Sequence, residues 1–160
     1  MVFRARPDAV ELLPGLWLGS RPSPRQAREL ARLGITHVVD LRAEADADDG
    51  RWGEGVVVVR RGLVDHADPA ADALDAAVTV VRRAVDAGET VYVHCHAGIE
   101  RGPTVAVAAL VVSGWPLSEA YRLVREKRPV AAPTAGQMAA LMALADRYGA
   151  ESPDLVPPTA

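Results

Sequence analysis

The stretch Val91-Tyr-Val-His-Cys-His-Ala-Gly-Ile-Glu-Arg-Gly-Pro-Thr104 decides the fold. Val91, Tyr92 and Val93 are apolar in succession and predict a buried strand. The chain's one cysteine, Cys95, follows that strand. A turn containing Gly98 comes next and closes at Arg101, and an apolar helix opens at Gly102-Pro103. Strand, short loop and helix in that order make an anion site, because loop N–H groups and the helix N-terminus converge on one phosphate. A cysteine at the start of the loop and an arginine at its end point to chemistry on the phosphate as well as binding.

The rest of the composition narrows the class. A length of 160 residues suits one domain with a real core. A hydrophobic fraction of 49% with 24% charged residues is that of an ordinary globular protein. The net charge of -3 offers no nucleic-acid surface, so no nucleic-acid partner is expected. The longest apolar run, Val105 to Val112, is far short of the roughly 18 residues that span a bilayer. The stretch from Met1 to Asp8 lacks the apolar core of a signal peptide, so a cytoplasmic protein without membrane contact is expected. One cysteine excludes an intrachain disulfide, and with four scattered histidines no metal or cofactor site is expected.

Outward from the loop, the chain alternates strand and helix signals. Residues 1–13 form an N-terminal surface or edge segment, 14–149 the domain, and 150–160 a Pro-rich tail that is expected to be disordered. A strand is predicted between Gly15 and Gly19, then a helix capped by Ser23 with Pro24 at its first position. Ala27, Leu30, Ala31 and Leu33 form that helix's inner face, and Gly34 ends it. Ile35 to Leu41 is a strand. Residues 43–55 are too polar for core and read as a loop or irregular helix. Val56 to Val59 reads as a buried strand, followed by a linker through Pro69 and a helix over 72–87 capped by Asp72. After the central loop and its helix, Gly114 to Ser118 make a break with a capping residue. Further helices run over 117–128 and from about 135 to Tyr148. This alternation predicts a single α/β domain with a small, largely parallel sheet of about four to five strands and helices on both faces. Ligands of such sheets sit at the carboxyl ends of the strands, where Cys95 lies.

Phosphoester cleavage by a thiol makes definite demands. The nucleophile must be ionised, and a helix N-terminus with a nearby cation favours the thiolate. Cys95 has the helix that begins near 103 and Arg101 at hand. Three phosphate oxygens need donors, which the N–H groups of His96, Ala97, Gly98, Ile99, Glu100 and Arg101 supply if the loop curls. Gly98 permits the curl, and Arg101 adds a planar fork that lysine cannot reproduce. The leaving oxygen needs a proton, so an acid must stand on a separate loop.

His94-Cys95-x5-Arg101 with Gly98 between them resembles the His-Cys-x-x-Gly-x-x-Arg loop of the protein tyrosine phosphatase superfamily. Leu16 to Ser20, Leu33 to Leu41 and Glu119 to Pro129 resemble the framework of its dual-specificity branch, and the similarity runs from about 14 to 148. The resemblance implies a two-step hydrolysis through a cysteinyl-phosphate, with Cys95 as nucleophile and Arg101 binding the phosphate. The substrate class is a phosphorylated protein or small phosphoester, phosphotyrosine first. The family's acid is an aspartate some thirty residues before the cysteine, a place where Asp65 fits best and Asp68 is the reserve.

Two departures stand out. Gly102 follows Arg101 where the family usually places a hydroxyl that donates to the sulfur; Thr104, in the first turn, is the candidate substitute. Glu100 lies inside the loop, and only His96 offers a partial positive charge there, which disfavours a highly anionic inositol headgroup. His94 is read as a donor that fixes the loop. Arg42 and Glu44 are placed on the rim or in an ion pair, and Trp17, Trp52 and Trp115 in packing roles; Gln137 resembles the position where some relatives place a water-orienting amide, but is read as a helix-surface residue. A phosphate-binding module without turnover and a rhodanese-like sulfurtransferase are the competing classes.

Overall fold

A computed structural model describes residues 6–44, 50–64 and 68–148. Its strands are β1 (Ala9–Leu13), β2 (Leu16–Gly19), β3 (His37–Arg42), β4 (Val57–Leu63) and β5 (Val91–His94). Its helices are α1 (Pro24–Arg32), α2 (Ala71–Asp86), α3 (Arg101–Val112), α4 (Leu117–Lys127) and α5 (Ala135–Tyr148). The sheet runs β1-β2-β5-β3-β4, antiparallel only between β1 and β2. β1 and β2 form a hairpin whose turn needs Gly15 at φ 88°, in the left-handed region.

β5 lies at the centre, and its register fixes the site. His94 stands beside Gly19 of β2 and Asp40 of β3, so three parallel strands end together and their following loops open at one edge. Alternation along β5 sends Val91 and Val93 to one face and Tyr92 to the other. On the first face they meet Leu16, Leu18 and Val39 under α2 to α5. On the second, Tyr92 and Val38 pack with Ala27 and Leu30 of α1 and with Trp52. α3 is buried on all sides from Arg101 to Val111, which is why its sequence has no polar stripe.

Several details depart from the sequence pattern. The segment 43–55, expected to stay out of the core, contributes Trp52 to it in the packing role expected of that residue, 4% exposed and with its ring 5.7 Å from Tyr92. Leu33, expected on the inner face of α1, is 52% exposed: the helix ends at Arg32 and Leu33 is its C-cap. β4 is an edge strand, only partly buried, and it continues through Arg60 and Arg61 to Leu63 where a linker was expected. Asp72 is not the cap of α2: Ala70 holds that position and makes no side-chain bond. Ser118 lies inside α4, behind an N-cap at Pro116. The cap at Ser23 has a partner the pattern omitted, since Gln26 completes a reciprocal capping box.

Trp52 is the large ring that covers the β5 face next to the site. Trp52→Ala is expected to cost about 3–5 kcal/mol in urea unfolding, the range for deleting a buried aromatic side chain.

Candidate active site

The loop after β5 has one organising feature: its carbonyls all point away from its centre. His94 donates Nδ1–H to the Cys95 carbonyl at 2.9 Å. Arg21 N–H takes the His96 carbonyl at 2.9 Å. The Arg128 guanidinium takes those of Ala97 at 3.0 Å and Gly98 at 2.6 Å. Ala132 N–H takes that of Ile99 at 2.7 Å, and Thr104 serves Glu100 with both its N–H and its hydroxyl. Peptide N–H and C=O point in opposite directions, so the N–H groups turn inward. Those of His96, Ala97, Gly98 and Ile99 have no protein acceptor among the described residues. A ring of inward N–H groups at a helix N-terminus is an oxyanion cradle.

Cys95 lies under this ring, 2% exposed, and Gly102 N–H donates to its Sγ at 3.3 Å. Here the departure at Gly102 acquires a structure. The helix backbone gives the sulfur a donor, while Thr104, the candidate substitute, spends its hydroxyl on the Glu100 carbonyl at 2.7 Å. A Cβ on Gly102 would lie 3.5 Å from Sγ and 3.0 Å from Leu18 Cδ1, a tight fit with the end of a flexible side chain.

Arg101 is 1% exposed, and such a cation needs partners. Glu44 grips it through Nη1 at 2.7 Å and Nη2 at 2.9 Å, and the Leu63 carbonyl adds a bond at 3.2 Å. The Arg101 guanidinium holds the Glu44 carboxyl below its ordinary range. Arg42 and Glu44, considered together on the rim, part company here: Arg42 binds Asp40 through Nε at 3.0 Å and Nη2 at 2.7 Å. Burial pushes Asp40 up, but the bonds from Arg42 outweigh it and leave its pKa lowered.

His94 acts as the sequence suggests, as a donor to the loop, and its geometry fixes the tautomer with hydrogen on Nδ1. Its ring stacks on Tyr92 at 5.6 Å. Burial lowers its pKa despite the neighbouring Asp40, so the ring is held neutral. Tyr92 is in turn fixed by donating to the Ser20 carbonyl at 2.5 Å, and burial raises its pKa.

The remaining candidates divide. Asp65 lies outside the described residues. Asp68 sets its carboxylate against the first turn of α5, where a Cβ on Gly136 would fall 1.6 Å from Oδ1. His96 is exposed, as is Ile99 at 38%. Gln137 is not on a helix surface: it is 2% exposed and closes a cap with Thr134, whose N–H donates to Oε1 at 2.8 Å. Sequence reasoning missed Arg128 and Asp8, which meet at the loop from opposite ends of the chain. The available signal was Pro129, which disfavours helix at the residue before it and leaves Arg128 at φ -132°, ψ 85°. Among the described residues no three His, Cys, Asp or Glu side chains converge as metal ligands would.

A buried thiol, a ring of inward N–H groups and a fixed guanidinium at a helix N-terminus define a cysteine-based phosphate site. Comparison with known proteins agrees. Residues 16–147 match the family model of the dual specificity phosphatase catalytic domain. Dual specificity protein phosphatase 26 of Mus musculus is 33% identical over 147 residues, covering 85% of this chain and 66% of the relative. Dual specificity phosphatase 28 of Homo sapiens is 31% identical over 150 residues, covering 91% and 82%. Among solved structures, Tk-PTP in the active form superposes with a TM-score of 0.80 at 32% identity, covering 88% of this chain and 98% of that one. The chain belongs to the dual specificity phosphatase family and carries its catalytic domain. It spans 66% of the length of the phosphatase 26 relative, just under two thirds.

The buried His94 generates an acid-sensitivity. The unfolded chain protonates this histidine near the ordinary 6.5, whereas the folded one resists. The unfolded state therefore binds more protons, and stability falls as pH drops below 6.5. Urea midpoints of the wild type should decline from pH 6.5 toward 5, and His94→Asn should flatten that decline. The lowered carboxyls Asp8, Asp40 and Glu44 lose their contribution only further down, below ordinary values of 3.8 to 4.5.

Proposed function

We propose that this chain is a cysteine-dependent protein phosphatase that hydrolyses phosphotyrosine, with phosphoserine and phosphothreonine as secondary substrates. The observation that carries the reading is the loop from Cys95 to Arg101, with its carbonyls bonded outward and the N–H groups of 96–99 left for an anion. In the first step the Cys95 thiolate attacks phosphorus, an S–P bond forms and the P–O bond to the leaving group breaks. Asp65 gives its proton to the leaving oxygen, with Asp68 as the reserve. In the second step water attacks phosphorus, the same carboxylate takes the water's proton, and the S–P bond breaks to return thiolate and inorganic phosphate. The inward N–H groups and Arg101 stabilise the equatorial oxygens in both steps.

Glu100 adds a negative charge within the loop, which favours a monoester on protein over a polyanionic headgroup. No described helix is long and apolar enough to cross a membrane. A catalytic thiol must stay reduced, which supports the cytoplasm as its compartment. The substrate is a phosphorylated protein or a small phosphoester.

Turnover of p-nitrophenyl phosphate tests the reading. Cys95→Ser should lose steady turnover, and Asp65→Asn should lose about 10²- to 10⁴-fold at its optimum, against a smaller effect of Asp68→Asn. Phosphate binding by a wild type that never turns over would sink the enzyme assignment, and sulfur transfer from thiosulfate to cyanide would replace it.

Gly102 predicts the slow step. With one backbone donor and no hydroxyl on Sγ among the described residues, loss of sulfur from phosphorus should limit the rate, so stopped-flow traces should show a burst of p-nitrophenol followed by slow turnover. Gly102→Ser adds a hydroxyl beside Sγ and should raise the steady rate several-fold, about 1 kcal/mol of barrier.

A further inference from the structure

The tip of the loop is the place where its conformation is least secured by its own chain. Gly98 sits there at φ 68°, and glycine is free to adopt either sign of φ. The two peptide groups flanking it are therefore the ones that rotate most easily. One contains the Ala97 carbonyl and the Gly98 N–H; the other contains the Gly98 carbonyl and the Ile99 N–H. Rotation of either would withdraw a donor from the cradle and turn a carbonyl lone pair toward the anion. Elsewhere the outward carbonyls are held by backbone N–H groups or by side chains close in sequence: His94 for Cys95, Thr104 for Glu100. At 97 and 98 the holder is one guanidinium from 30 residues further along the chain.

That guanidinium is Arg128. It is 5% exposed, and Pro129 has drawn it out of α4 into the extended conformation that delivers it to the loop. Nε bonds the Gly98 carbonyl at 2.6 Å, and Nη2 bonds that of Ala97 at 3.0 Å. On its far side Asp8 closes the fork, taking Nη1 on Oδ1 and Nη2 on Oδ2, both at 3.0 Å. Four of the five guanidinium N–H groups are thus committed: Nε, one on Nη1 and both on Nη2. Asp8 is itself placed by the hairpin, since its carbonyl accepts from Ser20 N–H at 3.1 Å and lies where a Cβ on Gly19 would fall. The pairing is favourable enough to hold the Asp8 carboxyl below its ordinary range.

We propose that Asp8 and Arg128 form a positioning clamp that locks the Ala97–Gly98 and Gly98–Ile99 peptides with their N–H groups facing the phosphate. The clamp rests on the reading of the loop as a phosphate cradle and adds to it a dependence on the residue that precedes β1. Neither residue touches substrate; both act through the loop backbone. Lysine cannot replace Arg128, because one ammonium does not span two carbonyls and a carboxylate with planar geometry. Asp8 has a side chain 61% exposed, so its removal opens no cavity.

The test is a double-mutant cycle of Asp8→Asn and Arg128→Lys, read by inorganic phosphate affinity in titration calorimetry, by kcat and KM on p-nitrophenyl phosphate, and by urea unfolding. Arg128→Lys should weaken phosphate binding by about ten- to a hundredfold, the scale of lost charge-assisted bonds, with KM rising in step. Asp8→Asn should weaken it several-fold with a smaller loss of stability than Arg128→Lys, and should add little in the Arg128→Lys background. Should Arg128→Lys fail to fold, Asp8→Asn alone carries the test through its phosphate affinity. Unchanged phosphate affinity in Asp8→Asn, or reduced stability with affinity intact in Arg128→Lys, overturns the clamp while leaving the cradle. Absence of phosphate binding by the wild type overturns the cradle and the clamp with it.

Discussion

A loop that presents N–H groups to an anion must find partners for its carbonyls on the outside, and the architecture around Cys95 follows from that requirement. Six consecutive carbonyls, from Cys95 to Glu100, face away from the centre, and each is bonded to protein. An unbonded buried carbonyl would cost about 1–3 kcal/mol, so a loop without these partners would fold inward and consume its own donors. Catalytic pre-organisation here is a matter of hydrogen-bond accounting on the face of the loop that the substrate never meets.

The fold supplies those partners by bringing separate segments to one sheet edge. The parallel register of β2, β5 and β3 places the loop after β2 beside the phosphate loop, and Arg21 N–H reaches it from there. α3 continues the loop and supplies Thr104. The connection between α4 and α5 supplies Arg128 and Ala132. Packing this close is possible because glycine occupies the crossing points. A Cβ on Gly98 would lie 2.6 Å from the Gly19 carbonyl oxygen, and one on Gly19 would lie 2.2 Å from that of Asp8.

Charge is arranged so that the buried cations are paired and the buried histidine is neutral. Arg101 is held by Glu44, Arg128 by Asp8 and Arg42 by Asp40. Each carboxylate fixes a planar fork in orientation as well as offsetting its charge. His94 needs no such partner because burial keeps its proton count at one, on the nitrogen that faces the Cys95 carbonyl. The site is thus lined by loop N–H groups and by a guanidinium that its carboxylate partner holds in place.

The sequence by itself determined the local grammar of this protein. The apolar run before Cys95, the glycine at 98 and the arginine at 101 were enough to specify strand, loop and helix, because each depends on neighbours a few residues away. Helix ends at Gly34 and Gly114 were legible for the same reason, since a left-handed residue stops a helix wherever it lies. The tertiary structure decided what the side chains reach beyond their own turn, and which of the local options each one takes. Glu44 and Arg42, two residues apart, serve different partners, Glu44 reaching Arg101 across 57 positions, and Thr104 turns to Glu100 instead of the thiol. The clamp on the loop joins residues 120 positions apart, Asp8 and Arg128. Such contacts leave no periodicity in the chain, because a side chain's destination is set by the packing of elements and not by its own propensity.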